Sequence, residues 1–261
     1  MLISSTQNPR IKSLLALQQK SAERRKSHLF VVEGRRELEH CLEAGFALSS
    51  VYHCPEICGP LPPLPFGGAD VLTVTPQVYE KIAYRGTTEG IMAEVQERQL
   101  SLADLSLPKA PLVVVLERVE KPGNLGAVLR SADAAKVDAV VVCDPLTDLY
   151  NPNLIRASLG AVFTVPTIAC TSEECIDFLK DRGIAILTAQ LQDSRLYYDT
   201  DMKRGTAIVM GTESTGLSQI WRDAADAHIR IPMLGRLDSL NVSVSAAILI
   251  FEAVRQRSSQ L

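Results

Sequence analysis

From Leu112 onward the chain alternates short, uninterrupted apolar runs with segments of helical character. LVVVLE, AVVVC, IAILTA and TAIVMG are strands with no polar face. A strand that is apolar on both sides has to be covered on both sides, so these runs dictate a mostly parallel sheet with helices on each face. The same pattern says where a ligand would bind, because such sheets hold their ligands beyond the carboxyl ends of the strands.

The 261 residues suffice for one large domain or two small ones, and 46% hydrophobic with 22% charged residues describe an ordinary globular composition. No apolar run approaches a membrane span, and the opening MLISSTQNPRIK lacks the apolar core of a signal peptide, so a cytoplasmic protein without a membrane partner is expected. The six cysteines, Cys41, Cys54, Cys58, Cys143, Cys170 and Cys175, are scattered through a chain too long to be a disulfide scaffold and read as reduced core thiols. His53, Cys54 and Cys58 form half of a metal-binding pattern, but no second ligand pair follows at zinc-site spacing and no metal is expected. The net charge of −3 points to no nucleic acid; its distribution is more informative. Arg10, Lys12, Lys20, Arg24, Arg25 and Lys26 face the single acid Glu23 near the amino end, either as a solvated basic helix or as a phosphate-binding surface.

In chain order, Asn8 and Pro9 open an amphipathic helix carrying that basic run. HLFVVEG then reads as a buried strand, RRELEHCLEAG as a helix closed by Gly45, and SSVYHC as a strand. After a Pro/Gly-rich loop come VLTV, a helix opened by Thr75 and Pro76, and the strand EGIMAEVQ. This is a small α/β/α domain, placed at residues 1–97. The segment 98–110 lacks a period and reads as a linker, and 111–261 carries the parallel series. Within that series, a helix begun by Asn151 and Pro152 is followed by an expected strand AVFTVPTI.

Three loops at strand ends carry the chemistry. In EKPGNLGAVLRSADA, Gly123 and Gly126 bracket a tight entry into a helix, with Arg130 one turn past Gly126 on the same face. The G-x-G-x-x-G fingerprint is absent, which disfavours a nicotinamide oxidoreductase. In IVMGTESTGLS a strand runs directly into Gly211, Thr212, Glu213, Ser214, Thr215 and Gly216, where small residues allow close backbone approach; Ser214 or Thr215 could equally cap a helix. In IRIPMLGRLDSLNVSVSAAILIFEAVRQR a strand meets Pro232, crosses a loop, and enters a long helix near Asn241 whose first turn is polar. Such a helix start can hold an anionic or acceptor group, or can simply be capped.

Together the three loops resemble the motifs of the SpoU family of the SPOUT superfamily, S-adenosylmethionine-dependent RNA ribose 2'-O-methyltransferases: NLGAVLRSADA, MGTESTGLS and IPMLGRLDSLNVSVSAAILIFEAVRQ. The segment NPRIKSLLALQQKSAERRKSHLFVVEG is similar to the RNA substrate-binding domain that precedes the catalytic domain in part of this family. The resemblance implies an α/β fold whose carboxyl-terminal part is tied in a trefoil knot, and a homodimer in which each protomer completes the other's site. It places Asn124, Arg130, Glu213, Ser239 and Asn241 around the reacting centre. It gives Leu187, Thr188, Ala189, Gly211, Ile231, Met233 and Leu240 to the methyl donor. Contact with RNA is expected at Arg10, Lys12, Arg24, Arg25 and Arg35. Ribosomal RNA is the favoured substrate on family grounds, with transfer RNA the alternative within the family and a non-catalytic RNA-binding assembly factor the alternative outside it.

Overall fold

The computed structural model describes residues 1–84, 89–212 and 215–258. The expected site residue Glu213 lies outside the described residues. The chain divides into two compact units, one of Met1–Gln99 with Asp148–Thr164, the other of Leu100–Thr147 with Val165–Leu261. No described helix is long and apolar enough to cross a membrane.

The first unit begins with β1 (Leu2–Ile3), α1 (Pro9–Gln19), α2 (Ser21–Ser27), β2 (Leu29–Glu33), α3 (Arg35–Glu43) and β3 (Leu48–His53). It continues with α4 (Pro55–Cys58), β4 (Asp70–Val74), α5 (Pro76–Ile82) and β5 (Ile91–Gln96). Its five strands lie in the order β1-β4-β3-β5-β2, with β5 antiparallel to both neighbours. The α1 start is as its sequence dictates: Asn8 accepts a hydrogen bond from the Arg10 N–H at 2.9 Å and Pro9 occupies the first turn. Ile11, Leu14 and Leu17 pack from α1 onto Tyr52, Tyr79, Ile82 and Met92. The basic run is not one helix. Lys20 is extended (φ −121°, ψ 114°), and α2 starts afresh with Arg24 turned inward.

In the second unit β6 (Leu112–Glu117), α6 (Pro122–Ala134) and β7 (Ala139–Cys143) come first. The chain then contributes α7 (Pro152–Ser158) and α8 (Ala161–Thr164) to the first unit. Back in the second unit it forms β8 (Thr167–Cys170), α9 (Ser172–Asp181), β9 (Ala185–Ala189), β10 (Arg195–Leu196), β11 (Thr206–Met210), α10 (Gln219–Ala224), β12 (Ala227–Arg230) and α11 (Val242–Ser258). The expected strand AVFTVPTI is therefore a short helix followed by β8. Leu159 and Gly160 take positive φ (54° and 85°) and reverse the chain, and Phe163 enters an aromatic cluster with Phe30 and Phe46. Burial of that ring outweighs the β-propensity of the run. The expected linker also differs: Leu102, Leu105 and Leu107 pack on the core of the second unit.

All seven strands of the second sheet are parallel, in the order β10-β12-β9-β11-β6-β7-β8. Val113, Val115, Val141, Ile186, Val209 and Trp221 fill one face, each such buried aliphatic side chain contributing about 1.5–3 kcal/mol. On leaving β12 the chain crosses 231–241 and enters α11, which packs against α6. The far end of α11 is stapled by Arg257. Its guanidinium donates to the carbonyls of Met202, Ala110, Pro111 and Arg204 at 2.8–3.1 Å.

Candidate active site

The carboxyl ends of β9, β11 and β12 converge on a cavity of about 320 Å³. Its apolar wall is Met210, Leu217, Ile229 and Leu249, and its polar rim includes Gln190, Thr212, Arg222, Asp238, Ser239 and Ser245. Of the residues expected to hold the methyl donor, Ala189, Gly211, Ile231, Met233 and Leu240 line this cavity. Leu187 and Thr188 do not. Both are buried within β9, and the Thr188 hydroxyl is engaged with His228 Nδ1 at 2.6 Å.

Gly211 is required for a reason the sequence only half conveys. Thr212 and Gly216 bridge antiparallel, so the loop closes on itself, and a Cβ at Gly211 would lie 2.3 Å from the Gly216 carbonyl. The close approach is between two parts of the chain itself, and it shapes the cavity wall. The next turn is anchored from the side: the buried carboxylate of Glu117, at the end of β6, accepts from the Ser218 N–H at 2.8 Å. Arg230 donates to the Ser194 carbonyl and so fixes the chain that follows Gln190 and Gln192.

The start of α11 is built by Asn241. Its carboxamide oxygen accepts from the Ser243 N–H at 3.0 Å and the Ser243 hydroxyl at 2.6 Å, and its carbonyl accepts from the N–H groups of Val244 and Ser245. Its Nδ2 donates to Asn124 Oδ1 at 3.1 Å, a link of 117 residues in sequence that ties the first turn of α6 to that of α11. Ser239 lines the cavity, and its hydroxyl donates to Asp238 at 3.3 Å. Arg130 is exposed on α6 and makes no ion pair with another described residue. Among the described residues, none of α6 lines the cavity, so Arg130 and Asn124 lie outside the wall formed by their own chain.

Two residues of the cavity wall that the sequence reading passed over, Gln190 and Arg222, each bury a polar atom without a partner among the described residues, Gln190 Oε1 and Arg222 Nε. Gln190 could have been found, since it follows the carboxyl end of β9; Arg222, inside a short helix, carries no sequence signal. An apolar slot with a polar rim fits a ligand with a flat heterocycle and a charged amino-acid end, as S-adenosylmethionine has.

The basic residues of the first unit divide. Arg24 is buried, pairs with Asp148 at 2.5 Å and donates to the carbonyls of Leu17 and Gln18. It is therefore not presented to RNA as expected. Lys12 and Arg25 are exposed. Arg10 and Arg35 are exposed in ion pairs with Asp70 at 2.9 Å and Glu39 at 2.8 Å, surface pairs that a phosphate can readily replace.

A parallel sheet with a closed glycine loop and a carboxyl-terminal helix docked on α6 is what the resemblance to the SPOUT superfamily implies, and comparison with known proteins gives the class: a SPOUT methyltransferase, with the knotted fold of its structural relatives. The model of the SpoU rRNA Methylase family matches residues 111–251 and that of the MRM3-like substrate binding domain matches 8–93. The 23S rRNA (guanosine(2553)-2'-O)-methyltransferase RlmP of Bacillus subtilis is 28% identical over 95% of this chain and 97% of its own. A putative TrmH family tRNA/rRNA methyltransferase of Staphylococcus epidermidis is 38% identical over 56% of this chain and 59% of its own. Among solved structures, an RNA 2'-O ribose methyltransferase matches with a TM-score of 0.84 and 38% identity over 99% of this chain and 100% of that one. An AdoMet-bound rRNA methyltransferase from Sinorhizobium meliloti matches with a TM-score of 0.90 and 28% identity over 98% of this chain and 97% of that one. The chain belongs to the SpoU rRNA Methylase family. It is thus an S-adenosylmethionine-dependent RNA ribose 2'-O-methyltransferase.

Proposed function

We propose that the protein methylates a ribose 2'-hydroxyl of ribosomal RNA in the cytoplasm, as a homodimer whose two donor cavities are each completed by Arg130 of the opposite protomer. The observation that carries this reading is the cavity at the ends of β9, β11 and β12, with Arg130 exposed, paired with no described residue and outside the wall that the described residues form. A dimer through this region is further supported by the apolar side chains of Leu234, Leu237, Val244 and Phe251, all exposed beside the cavity or on α11.

S-adenosylmethionine supplies an activated methyl group on a sulfonium. Ala189, Gly211, Ile231, Met233 and Leu240 would hold it, with Gln190 and Arg222 satisfying polar groups. The chain's own work is mainly positioning, which can supply much of such a rate. The Asn124–Asn241 hydrogen bond fixes the helix starts between which the ribose is brought, Ser239 orients groups at the cavity rim, and Glu213, outside the described residues, is the further catalytic residue that the family motif implies. Arg130 holds the adjacent phosphate and the oxygen as it becomes an alkoxide. A guanidinium is a hydrogen-bond donor with no acceptor to offer, so the hydroxyl proton leaves to water. Residues 1–97 serve as the RNA substrate-binding domain, through Arg10, Lys12, Arg25 and Arg35.

The test is transfer of labelled methyl from S-adenosylmethionine to ribosomal and transfer RNA, followed by digestion to nucleosides. Label in a 2'-O-methylnucleoside from ribosomal RNA is expected. Label on a base or only in transfer RNA would overturn the substrate, and no transfer to any RNA would favour a non-catalytic binding protein.

A further inference from the structure

Three thiols that play no part in this chemistry meet at the opposite edge of the second sheet. Cys143 closes β7, Cys170 closes β8, and the two are register partners on adjacent parallel strands. α9 begins two residues after Cys170, and its first turns bring Cys175 back over the strand ends. The three sulfur atoms all lie within 4.8 Å of one another. They are free thiols, Cys143 and Cys175 fully buried and Cys170 half-buried, so the group is enclosed on two sides and reachable on the third.

A core thiol needs only apolar neighbours, and two of these sulfurs have them in the cluster around Val141 and Ile176. Apolar packing does not require three sulfurs to converge. With a metal–sulfur bond of about 2.3 Å, a trigonal three-sulfur site has its sulfurs about 4 Å apart, so closure onto an ion requires shifts below an ångström. Acidic groups flank the cluster: Asp144 follows Cys143 and accepts from Ser172 at 2.6 Å, and Glu173 and Glu174 open α9. Their field favours a cation. Among the described residues no fourth Cys, His, Asp or Glu joins the group. Zinc would have to complete its tetrahedron with water, whereas soft monovalent copper is served by thiolates alone.

We propose that Cys143, Cys170 and Cys175 form a three-thiolate site for a thiophilic d10 cation, with monovalent copper as the occupant. Each coordinating thiol gives its proton to solvent on binding. The site crosslinks β7, β8 and α9 and lies away from the donor cavity at β9, β11 and β12, so methyl transfer does not depend on it.

The test is an anaerobic titration of the reduced full-length protein with monovalent copper in the presence of a competing chelator, with X-ray absorption at the copper edge. One equivalent with three sulfur neighbours is expected. Cys170→Ser should weaken binding at least about tenfold, given that even outer-sphere changes cost that much. Cys58→Ser, in the other unit, should leave stoichiometry and affinity unchanged. Fewer than three sulfur neighbours in the wild-type protein, no binding against the chelator, or equal losses in Cys58→Ser and Cys170→Ser would each overturn the assignment. The wild-type spectrum decides even if Cys170→Ser fails to fold. If zinc in place of copper binds with three sulfurs and one oxygen while copper does not, the choice of occupant is overturned.

Discussion

Arg24 and Arg130 are equally conspicuous in the sequence, each an arginine in a helix beside an apparent binding motif, and the two units use them in opposite ways. Arg24 has a side chain 6% exposed, a carboxylate partner and two backbone carbonyls. Arg130 is exposed and pairs with no described residue. The first is consumed by its own unit's folding, and the second is engaged by no described residue. Charge in a sequence measures supply; only the partners measure availability.

The largest effect that would break this comparison concerns Arg130. Arg130→Ala should lower the rate of methyl transfer by about a thousandfold while leaving the Kd for S-adenosylmethionine unchanged by calorimetry. Arg130→Lys should rescue little, because it keeps the charge and loses the planar fork. Near-normal turnover in the lysine variant would remove the clamp. Next is the cavity wall. Gly211→Ala forces a Cβ into the Gly216 carbonyl, and the donor Kd should rise by roughly tenfold to a hundredfold. Arg24→Ala should reverse the pattern seen with Arg130. It strands Asp148 and should cost about 3 kcal/mol of stability in urea, with donor affinity intact.

Smaller effects sharpen the picture of the first unit. Lys12→Ala and Arg25→Ala should each weaken RNA binding a few-fold and reduce the salt slope by about one, whereas a variant without effect on the slope would show that its residue is only solvated. The smallest is Glu94→Gln. Burial raises the pKa of Glu94, opposed by hydrogen bonds from Tyr52 and Ser50, so the ionised carboxylate destabilises the fold above that pKa and the penalty fades as pH falls through it. The amide keeps an acceptor for the Tyr52 hydroxyl and should raise Tm at neutral pH by about 2 °C, with the gain lost in acid.

What the sequence made legible follows from the same distinction. Periods and caps are local, so the parallel strands, the Asn8–Pro9 helix start and the polar opening of α11 could all be read from short windows. The reversal at Leu159 and Gly160 could not, because AVFTV becomes α8 only when Phe163 finds Phe30 and Phe46, more than a hundred residues away in sequence. Nor could the break at Lys20 that turns Arg24 inward, or the convergence of Cys143, Cys170 and Cys175. At the cavity, Ala189, Gly211, Ile231, Met233 and Leu240 were reachable through the family motifs and the strand-end rule. Leu187 and Thr188, buried within β9, do not line the cavity, and the buried unpartnered polar atoms of Gln190 and Arg222 emerge only in three dimensions.

The proposal that Arg130 serves the neighbouring protomer is tested directly by subunit complementation. Arg130→Ala and Gly211→Ala are co-refolded in equal amounts and assayed for methyl transfer to ribosomal RNA at a donor concentration near the wild-type Kd. There each variant alone is poorly active, the first through its rate and the second through its weakened donor binding. If the site is shared, half the dimers are mixed and each carries one intact site, so activity should return to about a quarter of wild type. If cavity and arginine act within one chain, every site in the mixture is defective, and activity no higher than that of the separate variants would contradict the account.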